Sequence, residues 1–274
     1  MRIDFQGKQV FAATGGKPFD NRKSVVIFLH GSGLDHTFWG LHAKFFVSCN
    51  YAVLVPDLPG HTNSEGPALD SIEAIGDWLN DVVESLDAKD VSLVAHSQGC
   101  LVALEFASRY PDRIRSLSIT ASGLALPVNK VLLDAAKNDP EAAIAMVLDW
   151  GFGSAGDLRQ GQSSDNSIVA VCREAMHNQA PGILATDLRA CDSYNNGIAA
   201  AEKISVPAQV IVAGKDRMVP TKATAELIEH LGNPHVAVIP ESGHMLPQEV
   251  PDQCRDLLRD FIFLNNSPQD PSFQ

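Results

Sequence analysis

A mostly parallel central β-sheet with helices on both faces, interrupted late by an all-helical insertion, is the α/β fold class that this sequence predicts. Three observations predict it. Strand-like and helix-like segments alternate from Met1 to Thr120 and again from Ala208 to Leu264, the rhythm of crossover units that build parallel sheets. Runs such as Ser24–His30 and Ala52–Pro56 are continuously apolar rather than alternating, as strands are when both faces are covered. Between Gly123 and Lys203 the strand pattern stops, and four amphipathic helical stretches replace it.

Taken in order, Gln9–Ala13 can pair antiparallel with the opening residues, and Ser24–His30 is the first buried strand. A helix over Thr37–Cys49 leads to the strand Ala52–Pro56. Ser71–Leu86 places Ile72, Ile75, Trp78, Leu79 and Val82 on one helical face, with Ser71 as its cap. The short β-branched run Val91–Ala95 turns at Ser97 into a helix over Gln98–Tyr110, and Ile114–Thr120 follows as a strand. The helical block comprises Val128–Asn138, Pro140–Trp150, Ser167–Asn178 and Gly182–Tyr194. Strands at Ala208–Ala213 and His235–Ile239 flank a helix over Ala223–Leu231, and a helix over Val250–Leu264 closes the fold. The expected division is therefore a core of residues 1–122 and 204–264, a helical lid at 123–203, and a mobile polar tail at 265–274. Within the lid, Trp150–Ser164 carries Gly151, Gly153, Gly156 and Gly161 beside Trp150 and Phe152. Each glycine weakens a helix by about 1 kcal/mol relative to alanine, so this stretch is a candidate gate.

Charge narrows the partners. The formal net charge is −12, which argues against nucleic acid, because phosphate binding needs clustered Lys and Arg. No apolar run approaches the ~20 residues that span a bilayer, and the opening Met1-Arg2-Ile3-Asp4-Phe5 lacks the apolar core of a secretory signal. The 5 cysteines are scattered without metal-ligand spacing. These features predict a cytoplasmic protein with reduced thiols, no metal and no membrane partner. The oligomeric state is not readable.

The chemistry centres on Ala95-His96-Ser97-Gln98-Gly99, a serine on a sharp turn between a buried strand and a helix. Small residues two before and two after it let the two backbones approach. A serine hydroxyl needs a base to remove its proton, and that base needs a carboxylate to hold it in the right tautomer. Downstream, Val210–Ala213 ends in Gly214-Lys215-Asp216, and Val236–Ile239 leads to Ser242-Gly243-His244.

The serine turn resembles the nucleophile elbow of the α/β-hydrolase superfamily, with Ala95 standing for the first glycine of G-x-S-x-G. The Gly-x-Asp and Gly-His strand ends resemble the superfamily's acid and histidine loops, with Glu249 and Pro251 following in the usual register. His30-Gly31-Ser32-Gly33 resembles its oxyanion loop, and Pro56-Asp57-Leu58-Pro59-Gly60-His61 with Ser64 matches a further loop read as scaffold. The resemblance implies the α/β-hydrolase fold with a helical lid and the triad Ser97, Asp216 and His244. It implies oxyanion donors at the backbone N–H groups of Ser32 and Gln98, with Gly33 as fallback, and no cofactor. The substrate implied is a small-molecule carboxylic ester, cleaved through an acyl-enzyme. Among other members of the fold, dehalogenases and most epoxide hydrolases use aspartate where Ser97 stands. Carbon–carbon bond hydrolases usually have Trp after the histidine, where this chain has Met245. Aminopeptidases need lid carboxylates, for which Glu141 and Glu174 are available, and some members are ligand receptors with slow or no turnover. His96 is expected to face away from Ser97 and to serve as structural support, and His36, His42, His177, His230 and His235 to be surface or core residues.

Overall fold

The protein is described here by a computed structural model that covers residues 1–5, 7–153 and 168–266. Most of the candidate gate, from Ser154 on, and the tail from Ser267 lie outside the described residues. Eight strands form one sheet: β1 (Arg2–Phe5), β2 (Lys8–Ala13), β3 (Val25–Leu29), β4 (Ala52–Pro56), β5 (Val91–His96), β6 (Ile114–Thr120), β7 (Ala208–Ala213) and β8 (His235–Ile239). Their spatial order is β1-β2-β4-β3-β5-β6-β7-β8. β1 and β2 pair antiparallel, β2 meets β4 antiparallel, and every later pairing is parallel.

The continuous apolar runs are explained by two cores, one on each face of the sheet. Val25, Ile27 and Leu29 of β3 join Ile72, Ile75, Leu79, Leu101 and Leu104 in one layer, while Val26 and Phe28 join Trp39, Phe46, Leu258 and Ile262 in the other. Successive side chains of a strand point to opposite faces, so a strand between two helical layers has no polar side. Helices Ile72–Ser85 and Gln98–Arg109 supply the first layer; Gly40–Ser48 and Pro251–Asn265 supply the second. Ser71 caps its helix as expected, its hydroxyl accepting from the Ala74 N–H at 3.2 Å.

Between β6 and β7 the described chain is helical: Lys130–Asn138, Pro140–Gly151, Ile168–His177, Ile183–Ser193 and Gly197–Ala201. The last of these was not expected, and neither was Leu246–Glu249 beyond β8. Both are too short for hydrophobic periodicity to register. The expected helix over Thr37–Cys49 opens instead with a tight single turn, His36–Trp39. Asp35 caps that turn at the Thr37 N–H, and the Trp39 indole N–H donates to the Leu29 carbonyl at 3.0 Å. Among the described residues no helix is long and apolar enough to cross a membrane.

Candidate active site

The site is assembled where β3, β5, β7 and β8 end. Ser97 follows β5 directly, at φ +53° and ψ −121°, a conformation that costs on the order of 1–3 kcal/mol for a residue with a side chain. The neighbouring backbone supports it: the Ser97 N–H donates to the Thr120 carbonyl at 3.2 Å. Gly99 is required by the same turn, because a Cβ there would lie 2.7 Å from the His30 carbonyl oxygen.

Ser97, Asp216 and His244, drawn from three separate strand ends, converge. His244 Nδ1–H donates to Asp216 Oδ2 at 2.8 Å, which leaves Nε2 bare to accept the Ser97 hydroxyl at 2.9 Å. Asp216 Oδ1 accepts the N–H groups of Met218 and Val219, each at 2.8 Å. Burial would raise the Asp216 carboxyl, but the His244 ring and these hydrogen bonds outweigh it and hold the group below the usual carboxylate range. The acid and histidine loops are tied together by the Lys215 N–H on the Ser242 carbonyl at 2.8 Å and the Gly214 N–H on the Ile239 carbonyl at 2.9 Å.

His96 does not face away from the site. Its ring lies 4.9 Å from that of His244 and lines the same cavity as Ser97, and its Nε2–H donates to the His244 carbonyl at 2.9 Å. Burial first, and the neighbouring His244 second, push the His96 ring down to about 3. It is a neutral prop for the backbone of His244.

Gln98 begins a helix, so its N–H has no carbonyl one turn earlier to bond, and the helix dipole favours negative charge beside it. Ser32 lines the cavity opposite. The Gly33 N–H, the fallback donor, is already engaged, donating to Asp187 Oδ2 at 2.8 Å. Asp187 carries no motif and sits in the helical block, so sequence reasoning missed it. His61, placed in a scaffold loop, proves to be its partner, with Nε2 at 2.9 Å from the same oxygen.

A cavity of about 520 Å³ opens over Ser97 and His244. Leu132, Val147, Trp150, Leu184 and Leu188 of the helical block line it with Met218 and Met245, and Arg217 is the one lining residue among those described that carries a formal charge. Neither Glu141 nor Glu174 lines it, and Glu141 instead pairs with His177 at the surface, 3.1 Å away. The described walls therefore offer no carboxylate to a substrate amine. Of the gate aromatics, Trp150 lines the cavity, whereas Phe152 is buried in the core beside Met245. The chain just beyond is pinned by the Gly153 N–H on Glu249 Oε2 at 3.0 Å, an oxygen that also accepts the Gly243 N–H at 3.1 Å. Among the described residues no three His, Cys, Asp or Glu side chains group as a metal site.

The family model for the alpha/beta hydrolase family matches residues 26–257. The chain belongs to that family. Protein ABHD8 of Bos taurus is 25% identical over 254 residues, spanning 89% of this chain and 57% of that protein; the chain thus covers little more than half the length of the first relatives it matches. The pimeloyl-[acyl-carrier protein] methyl ester esterase of Neisseria meningitidis is 27% identical over 250 residues, covering 86% of this chain and 93% of that enzyme. Among solved structures, the enol-lactonase from Burkholderia xenovorans LB400 superposes with a TM-score of 0.85 at 20% identity, over 96% of this chain and all of that one. This hydrolase fold brings the expected serine, acid and histidine loops to one edge of the sheet.

Proposed function

We propose that this chain is a serine hydrolase that cleaves small, largely apolar carboxylic esters through an acyl-enzyme. One observation carries the reading: the unbroken hydrogen-bonded chain from Ser97 Oγ through His244 to Asp216 lies at the floor of an apolar cavity. Ser97 Oγ attacks the acyl carbonyl while His244 Nε2 takes its proton, and Asp216 stabilises the imidazolium that forms. The carbonyl oxygen becomes anionic within reach of the Ser32 and Gln98 N–H groups, where preorganised donors lower the barrier. Collapse expels the alkoxide, which leaves with the proton from His244. A water then gives its proton to His244 and attacks the acyl group, releasing the acid and restoring Ser97.

The relatives support the ester reading, since an ester esterase and an enol-lactonase are both among them. The helices that roof the cavity would act as a lid, with Leu132, Val147, Trp150, Leu184 and Leu188 setting which apolar groups enter. A cavity of about 520 Å³ suits a small molecule. The test is a panel of p-nitrophenyl esters of increasing chain length, with lactones and aryl amides for contrast. Ser97→Ala should lower kcat/KM roughly 10⁴- to 10⁶-fold on the best ester, with an unchanged circular dichroism spectrum. A folded Ser97→Ala protein within tenfold of wild type would sink the reading.

A further inference from the structure

Three points of one helix grip the oxyanion loop. Leu184, Asp187 and Cys191 stand at i, i+3 and i+7 of the helix Ile183–Ser193, which puts them on one face. Leu184 packs on Gly33, where a Cβ would lie 3.0 Å from Leu184 Cδ1. Asp187 Oδ2 accepts the Gly33 N–H at 2.8 Å, and Cys191 Sγ lies 3.7 Å from Ser32 Oγ. Gly33 itself is left-handed, at φ +66°, a conformation that glycine adopts without strain. His61 meets the same oxygen, its Nε2 2.9 Å from Oδ2, while its Nδ1 lies 3.1 Å from the Pro59 carbonyl. Both ring nitrogens face oxygen atoms, an arrangement that favours the imidazolium, and burial, which lowers the ring's pKa, is outweighed by Asp187 and the Pro59 carbonyl, which raise it. Asp187 and His61 are fully buried.

We infer that Asp187 is a positioning residue: held by the His61 imidazolium, its carboxylate fixes the Gly33 N–H and thereby aims the Ser32 N–H into the oxyanion hole. The hole is then complete only while this helix of the insertion is docked on the core, because one of its two donors takes its direction from a side chain outside the core. The inference rests on Ser97 being the nucleophile. It assigns Asp187 no contact with substrate.

A buried imidazolium left without its carboxylate can unfold the protein, so Asp187→Ala alone would not separate aiming from mere stability. The deciding variant is the double replacement His61→Met/Asp187→Leu. Apolar residues of similar size commonly restore the stability of a buried ion pair, but they cannot accept from Gly33. Each variant is assayed for melting temperature, for kcat and KM on the best ester, and for inhibition by an alkyl boronic acid, whose tetrahedral adduct on Ser97 places an oxygen in the oxyanion hole. For the double variant we expect a melting temperature near that of wild type, kcat reduced about 10- to 10³-fold, the upper end matching outright loss of an oxyanion donor, and KM changed less than threefold. Boronate affinity should fall in step with kcat. Asp187→Asn, which keeps one acceptor oxygen, should fall between wild type and the double variant. Recovery of kcat together with melting temperature, or unchanged boronate affinity, would overturn the inference. Ser97→Ala run alongside separates the two levels: its loss of activity beside wild-type kcat in the folded double variant refutes the aiming role alone, and full activity in Ser97→Ala refutes the reading of the site itself.

Discussion

The protein holds two buried histidine–aspartate pairs, His244–Asp216 at 2.8 Å and His61–Asp187 at 2.9 Å. What faces the second ring nitrogen separates their chemistry. His244 Nε2 meets a hydroxyl, which can donate, so this nitrogen is placed to accept a proton. His61 Nδ1 meets the Pro59 carbonyl, which can only accept, so the ring is fully protonated and has no lone pair to offer. An aspartate at hydrogen-bond distance therefore does not by itself make a base. The partner on the far side of the ring decides.

The largest effect should separate the two histidines. His244→Ala removes the ring nitrogen that hydrogen-bonds Ser97 and should cost roughly 10⁴- to 10⁶-fold in kcat/KM, measured on an ester panel with the fold checked by circular dichroism. No single substitution at His61 should approach that loss in a protein that remains folded. Equal losses in two folded variants would break the comparison, because His61 would then be taking part in proton transfer.

The aspartates come next. Asp216→Asn should lower kcat about 10⁴-fold, since an amide facing Nδ1 favours the wrong imidazole tautomer. Asp187→Asn should cost no more than about 10²-fold, because misaiming one donor is a smaller loss than removing it. Single-turnover acylation with a p-nitrophenyl ester measures both, and a larger loss for Asp187→Asn would reverse the roles given to the two carboxylates.

The same contrast explains what could be read from the sequence. Asp216 and His244 each sit in a short loop directly after an apolar strand, so local patterns mark both, and parallel pairing of β7 with β8 brings the loops together. The alternation of strands and helices, and the helical block between β6 and β7, were legible for the same reason: each is a periodicity within a few consecutive residues. Asp187 and His61 are 126 positions apart, on a helix and a loop with no shared pattern. Nothing local announces that a helix of the insertion will dock on the oxyanion loop, because that contact depends on how the block is seated. The orientation of His96 was not legible for the same reason. Its place in the elbow was plain, but its bond to the His244 carbonyl spans 148 positions.

The smallest expected effect lies in the pH dependence of stability, and it sharpens the comparison most directly. In the unfolded chain a histidine takes up its proton near pH 6.5. Burial lowers His30 to about 4, His42 to about 3 and His96 to about 3 in the folded protein. Below pH ~6.5 the unfolded chain therefore binds protons at these rings that the folded chain refuses, and stability falls with pH by up to about 1.4 kcal/mol per unit for each ring. His61 runs the other way. Burial pulls its pKa down, but Asp187, the Pro59 carbonyl and the more distant Asp57 outweigh that and raise it, with the His30 ring 5.1 Å away. Its stabilisation is fully present below pH ~6.5 and is lost as pH rises through the raised value. His36, raised by its bond to Asp57, adds a contribution of the same sign. Urea unfolding from pH 4 to 9 should give a dome. In His61→Met/Asp187→Leu the alkaline limb should become shallower without going flat, because His36 remains and burial also pushes up the thiols of Cys100, Cys172, Cys191 and Cys254, while the acid limb stays steep. An alkaline limb identical to that of wild type would mean that His61 carries no extra proton in the folded state, and the distinction between the two pairs would fail.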